Sequence, residues 1–206
     1  MPEITLTVNG AAHRLTVPDR MLLTDALRDR LGLTGTHVGC EHGVCGACTI
    51  LMDGKPVRAC LTLAVQAEGR EIRTIESVAP SDTELHPVQR AMRDCHGLQC
   101  GFCTPGIVMS LVALHERAAT AEVPEDEIAE TLSGHLCRCT GYRNITAAAH
   151  QALTTPCPHD TAAPTAPASA EDARARAERA DVAAAGVGGG AARADAAGVE
   201  REGVEG

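Results

Sequence analysis

From Ile4 to Val8 apolar and polar residues alternate, the period of a strand with one buried face. Asn9-Gly10 follows, a pair suited to a two-residue hairpin turn, and "HRLTV" reads as the return strand. The period then changes. In "MLLTDALRDRL", Leu22, Leu23, Ala26, Leu27 and Leu31 fall on one helical face. Beyond a cysteine-rich loop, "TILMDGKPVRACL" reads as a second hairpin around Asp53-Gly54, and "EIRTI" as a later strand. Together these elements predict a small mixed unit of strands and one helix.

Near Ala79-Pro80-Ser81-Asp82 the pattern becomes helical and stays so to about Leu153. "HPVQRAMRDCHG" is the first candidate helix. "TPGIVMSLVALHERA" is the second, with Thr104 as N-cap and Pro105 at the first helical position. "PEDEIAETLSG" opens with proline and acids and stops near Gly134, and "YRNITAAAHQAL" is the fourth. Four helices can close a small bundle. Residues 156–206 hold 17 Ala and no Leu, Ile, Phe or Met. Such a stretch buries too little apolar surface to offset chain entropy, so a disordered tail is expected, with a transient helix around "EDARARAERA". "GVGGGA", Gly186 to Ala191, formally matches a dinucleotide fingerprint but lacks the strand and helix which that motif requires.

The charge balance narrows the function. Eighteen Lys plus Arg against 27 Asp plus Glu give a net charge of -9, which argues against nucleic acid as a partner. No apolar run reaches the length of a membrane span, and "MPEITLTVNG" carries neither a basic-then-apolar leader nor a twin arginine. A cytoplasmic protein is therefore expected. Its 10 cysteines need a reason, because disulfides are disfavoured there and metal ligation leads. Aromatics are nearly absent, with one Phe, one Tyr and no Trp, so the core must come from Leu, Val, Ile and Ala, around inorganic centres.

Eight of the cysteines form two sets. Cys40-x4-Cys45-x2-Cys48 with Cys60 beyond is the plant-type order for a [2Fe-2S] cluster. Gly39, Gly43, Gly46 and Ala47 are interleaved with these ligands, so the backbone can wrap closely and offer N–H donors to an anionic centre. Cys60 is expected on the return strand of the hairpin. The second set, Cys100-x2-Cys103 and Cys137-x-Cys139, lies at helix boundaries, where free N–H groups and the positive dipole end favour a negative centre. Structural zinc remains an alternative for this set, and a weaker one for the first. A Rieske centre is excluded, since no Cys-x-x-His occurs. Of the two remaining cysteines, Cys95 reads as a small buried helix residue and Cys157 as incidental.

"GCEHGVCGACT", then a distant Cys, then "QCGFCTPG" and "CRCTGY", in that order, closely resemble the iron–sulfur subunit of the xanthine oxidase family of molybdenum hydroxylases. The resemblance covers residues 1 to about 155. It implies an α+β chain: a plant-type [2Fe-2S] ferredoxin (β-grasp) domain over 1–79, an all-α four-helix [2Fe-2S]-binding domain over 80–155, and the tail over 156–206. It implies two [2Fe-2S] clusters, on Cys40, Cys45, Cys48 and Cys60 and on Cys100, Cys103, Cys137 and Cys139. Gln99 matches the position that contacts the pterin, and Cys139 the cluster ligand nearest to it. The resemblance further implies electron transfer from a molybdopterin centre on a large subunit to FAD on a medium subunit, in a dimer of heterotrimers. It places no substrate-converting residue on this chain and does not name the substrate.

Overall fold

Alternation in the first strand decides which face it buries. In the computed structural model, which describes residues 1–81, 83–118 and 123–154, β1 (Glu3–Val8) turns Ile4, Leu6 and Val8 inward and leaves Glu3 and Thr5 exposed. It pairs antiparallel with β2 (Ala11–Thr16) through Asn9-Gly10, both in the left-handed region at φ 52° and 80°. Asn9 also pins this hairpin to its neighbour. Its side-chain carbonyl accepts the Thr74 N–H at 2.8 Å and its amide donates to Thr74 Oγ1 at 2.9 Å. The second hairpin joins β3 (Thr49–Met52) to β4 (Lys55–Arg58), and Thr74 directly follows β5 (Glu71–Arg73). The sheet order is β2-β1-β5-β3-β4, with β1 and β5 parallel and the other pairs antiparallel.

The helical face read between Leu22 and Leu31 is buried as expected, with Leu23, Ala26 and Leu27 fully enclosed. Its backbone is not one regular helix. A short α1 (Leu23–Asp25) runs into a wider π turn over Ala26–Arg30. Arg28 donates to the carbonyls of Thr34 at 2.7 Å and Thr36 at 2.9 Å, which folds the following loop back over this end. Cys60 also departs from the expected position. The return strand stops at Arg58, and Cys60 lies in a 3-10 turn, Ala59–Leu61, closed by Thr62 N–H onto the Ala59 carbonyl at 3.3 Å.

The second half contains α2 (Pro87–Asp94), α3 (Thr104–Ala118), α4 (Glu125–Ser133) and α5 (Arg143–Thr154). α5 packs on the other three, and its buried Ile145, Ala148, Ala149 and Ala152 allow close approach. The expected Thr104 N-cap is displaced by one residue. The Cys103 carbonyl already accepts the Ile107 N–H at 3.1 Å, so the capping position falls on Cys103, and the buried Thr104 hydroxyl has no partner among the described residues. Cys95 is half-buried at the end of α2 and not enclosed in a helix; its thiol meets Gln151 Oε1 at 3.0 Å.

Two apolar cores result, and β3 serves both. Ile50 joins the core of Ile4, Leu6, Leu23, Leu27 and Ile72, while Leu51 points the other way into that of Met92, Ile107, Leu111 and Ile145. α3 therefore covers one face of the sheet. No described helix is long and apolar enough to cross a membrane. The expected disordered tail, Gly186 to Ala191 and Cys157 lie outside the described residues.

Candidate metal centres

The loop from Cys40 to Cys48 turns on three left-handed residues, Glu41, Gly43 and Gly46, which direct successive N–H groups inward. Cys45 N–H lies 3.4 Å from Cys40 Sγ. The N–H groups of Cys45 and then His42 hold the Cys40 thiol down to about 6. Cys60 responds in the opposite sense. Burial first, then Cys48 and Cys40 beside it, push it up to about 11, although the Gly43 N–H opposes the shift. All four candidate ligands thus meet at one place, with Cys48 and Cys60 buried and Cys40 and Cys45 half-buried.

The second group assembles from two distant segments. Cys100 Sγ and Cys139 Sγ lie 3.5 Å apart and both are exposed. The Phe102 N–H, and then Cys139, lower the Cys100 thiol, while Cys100 raises Cys139. Burial, then Cys137, pushes Cys103 up to about 12. Burial would also raise Cys137, but the Thr140 hydroxyl at 3.3 Å and nearby N–H groups outweigh it and leave that thiol lowered. In both groups backbone N–H groups lower some thiols, while burial and neighbouring sulfurs raise others. Four thiolates at such separations need positive charge among them, which an iron–sulfur core supplies. The donors are all sulfur, and N–H groups already face them, so the residues fit such a core. Among the described residues, no three Cys, His, Asp or Glu are placed as ligands of one ion.

The two groups are neighbours. Leu136, next to Cys137, donates its N–H to the Cys45 carbonyl at 3.0 Å. Gly46 is needed there: a Cβ would meet His135 Nδ1 at 2.5 Å and the Gly134 carbonyl at 2.7 Å, and its φ is 77°. Gln99 is exposed beside Cys100 and has no hydrogen bond among the described residues.

Residues 6–74 match the family model of the 2Fe-2S iron-sulfur cluster binding domain, and residues 74–150 that of the [2Fe-2S] binding domain. The caffeine dehydrogenase subunit gamma of Pseudomonas sp. (strain CBB1) is 59% identical over 147 residues, covering 69% of this chain and 85% of the relative. The nicotine 6-hydroxylase small subunit of Paenarthrobacter nicotinovorans is 54% identical over 143 residues, covering 69% and 84%. The chain belongs to the iron–sulfur subunits of the xanthine oxidase family. Quinoline 2-oxidoreductase from Pseudomonas putida 86 superposes with a TM-score of 0.68 at 48% identity, over 74% of this chain and 93% of that one. This membership makes the cofactor [2Fe-2S] in both halves and closes the zinc alternative.

Several residues that shape this subunit's centres had no role in the sequence reading. Tyr142, the single tyrosine, accepts the Cys137 N–H at 2.8 Å and donates to the His135 carbonyl at 2.9 Å, bracing the second ligand loop. His135 is buried, bonded to Ser110 Oγ at 2.8 Å, and held down to about 4 by burial and then by Arg58. Arg58 donates to the Gly134 carbonyl at 2.6 Å. The scarcity of aromatics was a usable signal for Tyr142; nothing local pointed to Arg58.

Proposed function

We propose that this chain is the electron-transfer subunit of a molybdenum hydroxylase. One cluster is held by Cys40, Cys45, Cys48 and Cys60, the other by Cys100, Cys103, Cys137 and Cys139, in domains spanning 1–79 and 80–155. A [2Fe-2S] cluster supplies one-electron exchange without proton chemistry. Electrons enter from a molybdopterin centre on a large subunit and leave to FAD on a medium subunit, within a cytoplasmic dimer of heterotrimers; substrate conversion belongs to the large subunit. The observation that carries the reading is the juxtaposition of two four-cysteine groups across one hydrogen bond, Leu136 N–H to the Cys45 carbonyl. The relatives' names, "subunit gamma" and "small subunit", support partner chains. So does the surface. Val44, Leu61, Leu98, Phe102 and Leu136 are exposed, and each lies within two residues of a candidate ligand.

Gln99 and Cys139 face the pterin in this reading. Gln99 sits at the exposed edge of the second group and offers both donor and acceptor outward. Losing one such hydrogen bond costs about 1–3 kcal/mol. Gln99→Ala should therefore slow reduction of the clusters by substrate in the assembled complex, while reduction by an artificial donor stays unchanged. Substrate reduction at the wild-type rate with molybdenum cofactor fully bound would move the entry point elsewhere.

A further inference from the structure

The two cysteine groups lie on opposite sides of the junction between the two halves, and the apolar contact there, Leu51 of β3 against α3, has no strong directional preference. Direction comes from polar contacts at the seam. At its centre is the bond from Leu136 N–H to the Cys45 carbonyl. A side chain from the first half reaches a backbone carbonyl of the second on each of two further contacts. The first is Arg58, the last residue of β4. One guanidinium nitrogen donates to the Gly134 carbonyl at 2.6 Å, and another donates to Thr49 Oγ1, whose hydroxyl in turn donates to the Gly46 carbonyl at 2.6 Å. Arg58 thus ties the first ligand loop to the end of α4, three residues before Cys137.

The second is His37, three residues before Cys40. Its Nδ1–H donates to the Phe102 carbonyl at 2.8 Å, and the two rings stack with centroids 5.0 Å apart and planes at 20°. Phe102 stands between Cys100 and Cys103. Its ring lies against Gly39, where a Cβ would be 3.1 Å from Phe102 Cε1. Phe102 is one of two Phe and Tyr side chains in the whole chain, and it fills the gap between the two ligand loops.

We propose that His37 and Arg58 form a clamp that sets the separation and relative orientation of the two clusters, and so governs electron exchange between them. They are positioning residues: neither ligates iron, and each acts through a carbonyl of the opposite ligand segment. A further side-chain contact, the Arg73–Glu116 ion pair at 2.6 Å, joins β5 to α3 but reaches neither ligand segment; His37 and Arg58 are the two side chains that grip a carbonyl beside the opposite group's cysteines. The inference rests on the ligand assignment proposed above.

The test is electron paramagnetic resonance of the full chain, fully reduced under anaerobic conditions, with iron and sulfide measured on the same samples. Magnetic interaction between two reduced clusters depends steeply on their separation and orientation. His37→Gln keeps a donor without the ring, and Arg58→Lys keeps the charge without the fork; both are mild enough to fold. Each should weaken the spin–spin splitting, and the double variant should lose it, while iron content and the separate signals stay wild-type. Amide exchange at Leu136 should quicken in parallel. A double variant with full iron and unchanged splitting overturns the clamp, as does unchanged protection of that amide. A wild type that holds only one cluster overturns the ligand assignment instead, which distinguishes the two failures.

Discussion

Gly106 lies in the first turns of α3, directly over the first ligand loop. A Cβ added there would stand 2.2 Å from the Gly46 carbonyl oxygen and 3.1 Å from both Cα and O of Ala47. All three neighbours are backbone, so no side chain can swing aside. A carbon–oxygen contact needs about 3.3 Å, so the loop or helix must give by about 1 Å. Two effects compete in Gly106→Ala. Alanine improves helix propensity by about 1 kcal/mol. Overpacking a filled contact costs about 1–3 kcal/mol. Because the clash is with rigid backbone, the cost falls in the upper part of that range, about 2–3 kcal/mol, and the clash should win, for a net loss of about 1–2 kcal/mol, or a Tm lower by about 2–8 °C in a chain of this size. Anaerobic thermal unfolding followed by circular dichroism measures it. The reduced signal of the first cluster should change as well, because Gly46 and Ala47 lie between the proposed ligands Cys45 and Cys48. Gly97→Ala is the milder control, since its Cβ first meets the flexible Met92 side chain at 3.0 Å. If Gly106→Ala matched or exceeded wild-type stability, the loop would not be docked rigidly on α3, and the shared role of β3 in both cores would have to be revised.

Two further outcomes are expected. Asn9→Ala should destabilise the chain by about 1–3 kcal/mol in urea unfolding, because it removes two hydrogen bonds to Thr74 and places alanine at φ 52°; an unchanged midpoint would show that the first hairpin does not depend on β5. Cys45→Ser should remove the first cluster and leave the second, since their ligands come from separate segments. Loss of both in a folded variant would contradict the two-domain assignment.

Much of this was legible because its causes are local. Asn9-Gly10 and Asp53-Gly54 place both hairpin turns by their backbone preferences alone, and the apolar period from Leu22 to Leu31 names the face that α1 and its π turn bury. The Cys40-x4-Cys45-x2-Cys48 spacing exposes the first centre because three of its sulfurs share one loop. Features set by distant partners were not legible. Cys60 leaves the strand because a 3-10 turn closes behind Arg58, and the N-cap of α3 moves to Cys103 because its carbonyl takes the first helical bond. Arg58 and Gly134 are 76 residues apart, and His37 and Phe102 are 65 apart. No periodicity carries such pairings; they exist only once β3 and α3 have packed.

The central claim is that eight thiolates hold two [2Fe-2S] clusters. Iron, zinc and acid-labile sulfide analysis of the anaerobically purified full chain tests it most directly. Two irons per four-cysteine set predict four irons and four sulfides per chain with no stoichiometric zinc. Two zinc ions per chain with negligible iron and sulfide would contradict it.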